Sequence, residues 1–79
     1  MNSYSTKFFA FCPVNNARVE YDWTVQTTDT LKVEDLIDAV TLLSRGLHED
    51  FADQLFREFG GAQVLTAYHH GVNIRTERP

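Results

Sequence analysis

Residues 17–27, ARVEYDWTVQT, alternate without a break: Val19, Tyr21, Trp23 and Val25 on one side, Arg18, Glu20, Asp22, Thr24 and Gln26 on the other. A period of two sustained over this length belongs to a strand with one wet and one buried face, which calls for an antiparallel sheet and a second layer over its apolar side. The segment from Tyr4 to Cys12 is aromatic and β-prone, and PVNN between the two is a turn sequence whose Asn pair tolerates left-handed φ. The two segments are therefore expected to pair as a hairpin. Phe8 and Phe9 must point to opposite faces, so either Phe8 or the pair Phe9 and Phe11 lies away from the face of Trp23.

The second layer is supplied by a change of period. In TTDTLKVEDLIDAVTLLSRG, residues Val33, Leu36, Ile37, Val40 and Leu43 recur at helical spacing, with acids early and Arg45 and Gly46 at the end, which predicts an amphipathic helix with a glycine stop. LHEDFADQLFREFGG repeats the pattern: Phe51, Leu55 and Phe59 form the stripe, Glu49 and Asp50 occupy the first turn, Gly60 and Gly61 finish it, and Asp53 with Arg57 is an i,i+4 pair. The tail AQVLTAYHHGVNIRTERP returns to β character, either as one long strand or as two strands about a turn at His70-Gly71. The expected fold is α+β, a two-layer sandwich over one domain, residues 1–79. Its antiparallel sheet has three or four strands and two helices on one face, in the order β-β-α-α-β-β.

An apolar fraction of 43%, including six Phe, three Tyr and one Trp, is enough for one core, and the length leaves no room for a second domain. A single cysteine forms no internal disulfide, and MNSYSTKFF lacks the basic head and long apolar run of a signal peptide, which together suggest a cytoplasmic protein. The longest apolar run, FFAFCPV, is far short of the roughly 20 residues of a spanning helix, so no membrane is expected.

Net charge is −4, and between Glu34 and Glu58 seven acids face only Arg45 and Arg57. That polarity disfavours direct nucleic-acid binding, which needs clustered Lys and Arg, and fits a larger basic protein or a nucleic-acid-binding complex as partner. Glu34, Asp35, Asp38, Glu49, Asp50 and Asp53 are the candidate docking residues.

Candidate chemistry is sparse. Cys12, directly before Pro13, has no base or helix start beside it in sequence and is expected to pack. His48-Glu49-Asp50 reads as a helix start, and adjacent His69 and His70 point to opposite faces if both lie on a strand. No C-x-x-C or H-x-x-x-H spacing occurs and the glycine pair follows a helix, so neither a metal, a phosphate loop nor a cofactor is expected. These residues predict a non-enzymatic interaction protein. Aromatics on both faces of the first strand, together with open sheet edges, predict a homodimer.

The element order, with FCPV after the first strand, LHED before the second helix and GVNIR near the end, resembles a shortened tunnelling fold. That superfamily includes the pterin synthases, GTP cyclohydrolases and the nitrile reductase of queuosine biosynthesis. Its members assemble into rings. Similarity to the nitrile reductase implies that Cys12 is a nucleophile and that His48 and Glu49 bind a purine or pterin or transfer protons. That family carries an acid seven positions after the cysteine, where this chain has Val19, with Glu20 and Asp22 nearby. By size and charge the chain also resembles small phage-borne inhibitors such as anti-CRISPR proteins, several of which occupy basic nucleic-acid channels.

Overall fold

The computed structural model describes all 79 residues, Met1–Pro79. The alternating segment forms β2 (Arg18–Thr27), paired antiparallel with β1 (Asn2–Phe11) so that Phe8 stands opposite Tyr21 and Lys7 opposite Asp22. The tail divides into β3 (Ala62–His69) and β4 (Val72–Arg78). Between them His70 and Gly71 take positive φ, 50° and 82°, the two-residue turn whose twist matches that of the strands. The sheet has four strands in the order β1-β2-β3-β4, all antiparallel. Two helices, α1 (Val33–Thr41) and α2 (His48–Phe59), connect β2 to β3 and cover one face, so the fold is the two-layer α+β sandwich.

Strand parity divides the residues between the two faces. Toward the helices β2 buries Val19, Tyr21, Trp23 and Val25, and β3 buries Gln63, Leu65 and Ala67. Leu36, Ala39 and Val40 of α1 and Phe51, Ala52 and Leu55 of α2 close this core. Phe8 belongs to the same side, stacked on Tyr21 with ring centroids 4.9 Å apart. Phe9 and Phe11 therefore fall on the helix-free face, where the Arg18 guanidinium lies 4.1 Å over the Phe9 ring. The ion pairs Lys7–Asp22, Arg18–Glu20 and Arg75–Glu77 keep that face solvated.

Helix α1 ends at Thr41, well before the predicted stop at Gly46. Leu43 remains buried, but Ser44 to Gly46 leave the helical path to run beside β1. Phe11 N–H donates to the Ser44 carbonyl at 3.0 Å, and Gly46 N–H donates to the Phe11 carbonyl at 3.3 Å. The open edge of β1 thus competes for the backbone groups that a further helical turn would have used. Gly46 serves space here, because a Cβ would come within 2.6 Å of Phe51 Cε1. No helix is long and apolar enough to cross a membrane.

Candidate functional site

At one end of the sheet, the loop after β1, the first turn of α2 and the end of β3 meet around a recess of about 100 Å³. Cys12, Tyr21, His48, Glu49 and His69 bring polar atoms to it, and Val19 and Ile74 supply part of its apolar wall. Cys12 comes from the first strand's end, Tyr21 from the interior of β2, and His48 and Glu49 from the start of α2. Residues far apart in sequence thus converge because the sheet order sets β2 between β1 and β3.

Cys12 is fixed through its backbone: its N–H donates to the Ala17 carbonyl at 2.9 Å and its carbonyl accepts from Asn16 N–H at 2.8 Å. The thiol is half-buried against the core. His48 is 5% exposed, and its Nε2–H donates to the Leu65 carbonyl at 3.0 Å. Nδ1 is buried without a partner. Burial pushes the imidazole pKa below its ordinary value, outweighing the opposing pull of that hydrogen bond and of Glu49, so the ring is neutral with a lone pair on Nδ1. Burial first, and then the charges of Cys12 and Glu49, push the Tyr21 phenol upward, which keeps its proton in place as a donor. The recess thus combines a thiol, a neutral imidazole, a phenol donor and a carboxylate on an apolar floor. That set suits the hydrogen-bonding edge of a planar nitrogen heterocycle.

The acid seven positions after the cysteine has no replacement here. Val19 is buried on the recess wall, whereas Glu20 and Asp22 lie on the helix-free face, bonded to Arg18 at 2.9 Å and Lys7 at 2.6 Å. Glu49 is the carboxylate that lines the recess.

The histidine pair does not lie on one strand, so the opposite-face condition does not apply. His69 ends β3, but His70 occupies the left-handed turn position, and the bend brings both rings together, perpendicular and 4.5 Å apart. Both Nε2 atoms face Asn15 Nδ2 in the β1–β2 loop. No group of three or more His, Cys, Asp or Glu is placed to hold a metal ion. Sequence reasoning considered His69 only as a metal ligand and passed over Tyr21 as a site residue. The available signal was parity, since His69 shares the core-facing phase of Leu65 and Ala67 once the turn is fixed at His70-Gly71.

The six candidate docking acids fall in two groups. Glu34, Asp35 and Asp38 are exposed on α1, where Asp35 and Asp38 share a groove with Glu58 from the last turn of α2. Glu49 and Asp50 stand at the opposite end of α2, in its first turn. Asp53 is half-exposed and bonded to Arg78 of β4 at 2.8 Å, which replaces the i,i+4 pairing expected with Arg57.

The chain is similar in fold to a solved structure, the archaeosine synthase QueF-Like in the apo form, with a TM-score of 0.70 over 98% of this chain and 89% of that one. Sequence identity is 15%, so the likeness shows the fold alone. It agrees with the expected two-layer α+β arrangement, and gives no support to the likeness with phage-borne inhibitors. No family model matches the chain, and no curated protein matches its sequence.

Proposed function

We propose that the chain is a tunnelling-fold protein that binds a purine- or pterin-like heterocycle by its hydrogen-bonding edge, with Cys12 as the group that attacks an electrophilic carbon on it. The observation that carries this reading is the convergence of Cys12, His48 and Glu49 on one recess. In this reading Glu49 accepts from ring N–H or amino groups, and the Tyr21 hydroxyl donates to a ring oxygen or nitrogen. Addition of the thiol to a nitrile carbon, the chemistry implied by similarity to the nitrile reductase, forms an S–C bond. It moves the thiol proton to the nitrile nitrogen, giving a thioimidate with no further reactant.

The test is a panel of purines, deazapurines and pterins, with and without a nitrile, followed by thermal shift, calorimetry and intact mass. Expected is binding of at least one bicyclic member, loss of that binding in Glu49→Gln, and a mass adduct that Cys12→Ser lacks. Absence of binding across the panel at millimolar concentration would overturn the reading.

A second reading is docking on a basic partner through the acidic residues of α1 and of the first turn of α2. Its support is that Glu34, Asp35, Asp38, Glu49 and Asp50 take part in none of the four intramolecular ion pairs, so their charge is uncompensated within the chain. Capture of a binding protein from the native host, identified by mass spectrometry and weakened by salt, is the corresponding test.

A further inference from the structure

The β1–β2 loop that carries Cys12 is tied on two sides by adjacent asparagines. Asn16, at φ 60°, accepts at Oδ1 from Arg45 in the α1–α2 connection at 2.7 Å. Asn15 faces the β3–β4 turn, and its amide orientation is fixed, because Oδ1 accepts from Ala17 N–H at 3.1 Å. Nδ2 is therefore the group directed at the histidines, 3.0 Å from His70 Nε2 and 3.4 Å from His69 Nε2. An amide nitrogen only donates, so both imidazoles must accept through Nε2 and carry their protons on Nδ1. A second proton on either ring sets N–H against N–H and removes that bond.

We propose that Asn15, His69 and His70 form a proton-released latch that holds the Cys12 loop against the β3–β4 turn when both rings are neutral and frees it on acidification. The latch stands on this geometry alone. Its consequence for ligand access to Cys12 rests on the function proposed above. Around His69 the other ionisable groups are Cys12, Tyr21, His48 and Glu49 in the recess. Arg45, bonded to the neighbouring Asn16, is the positive group at the loop's other tie. No third donor among His, Cys, Asp and Glu is grouped with this pair.

The experiment uses the unliganded chain. Long-range proton–nitrogen spectra at alkaline pH are expected to show both rings with the proton on Nδ1. Amide protection factors at Cys12, Asn16 and Ala17, corrected for intrinsic exchange, are expected to fall about tenfold as the imidazoles are protonated, in keeping with the loss of one or two exposed hydrogen bonds. Asn15→Ala should exchange fast in this loop at either pH. Asn15→Asp should reverse the sign, because a carboxylate holds the protonated rings best. Nε2–H tautomers in the wild-type chain at alkaline pH, or protection that stays constant through imidazole protonation, would overturn the latch even if no variant folds. Ligand affinity, measured separately above and below the transition, tests only the consequence: a working latch in a chain that binds no heterocycle refutes the functional reading and leaves the latch standing.

Discussion

The indole N–H of Trp23 donates to Oε1 of Gln63 at 3.0 Å in the middle of the core. The amide's other end donates to the carbonyls of Leu55 at 3.1 Å and Gly60 at 2.7 Å, so one buried side chain satisfies groups from β2, α2 and the α2–β3 connection. Replacing Gln63 by Leu keeps the volume but strands the indole donor and two carbonyls. The expected cost is about 2–4 kcal/mol in urea unfolding. Trp23→Phe in the Gln63→Leu background should cost less than the sum of the two single changes, because it removes the stranded donor.

His48 gives the chain an acid-sensitive stability. Its folded pKa lies below the ordinary 6.5 because burial disfavours the charged ring. The unfolded chain therefore takes up this proton at higher pH than the folded one, and stability rises with pH in the interval between the two values. The contribution is complete above about 6.5 and fades as pH falls from there toward the folded pKa. In His48→Gln, where the amide retains a donor for the Leu65 carbonyl, unfolding free energy should change less between pH 7 and pH 5 than in wild type. An equal change in both would remove His48 as its source.

The layer order was legible because two periods were legible. Strict alternation placed Val19, Tyr21, Trp23 and Val25 on one face, and the 3.6-residue stripe placed Leu36, Val40, Phe51 and Leu55 against it. What escaped were competitions between distant backbone segments. Nothing local in LLSRG says that Ser44 to Gly46 will pair with Phe11, and nothing near Asp53 says that Arg78 will outbid Arg57. The site followed the same rule: Cys12, His48 and Glu49 could be named, but their meeting depends on sheet order, and the convergence of His69 with His70 depends on one left-handed residue.

Self-association is expected through the β1 edge. By parity with Phe11, whose backbone groups point outward to Ser44 and Gly46, those of Ser3, Ser5, Lys7 and Phe9 remain open on the same side. Beside them Phe9, Phe11, Ile37 and Val40 help line a groove of about 360 Å³, with Phe9 and Ile37 each 50% exposed. Sedimentation at high micromolar concentration should show an oligomer that Phe9→Lys together with Ile37→Lys reduces to monomer. A wild-type chain that is strictly monomeric under those conditions counts against this edge as an interface.

The acids of α1 separate the two functional readings, because Asp35 and Asp38 lie at the far end of α2 from the recess. The double change Asp35→Lys with Asp38→Lys should leave stability within about 0.5–1 kcal/mol of wild type, since exposed charges contribute little. If the recess is the working site, the double variant binds heterocycles as wild type does, and Glu49→Gln alone abolishes binding. If docking is the function, the order inverts: the double reversal slows association with the captured partner, most at low ionic strength, while Cys12→Ala is silent. Glu49 stands in both candidate sets, so its loss alone decides nothing. The pairing of an intact ligand affinity with a reversed α1 surface is the result that assigns function to the recess.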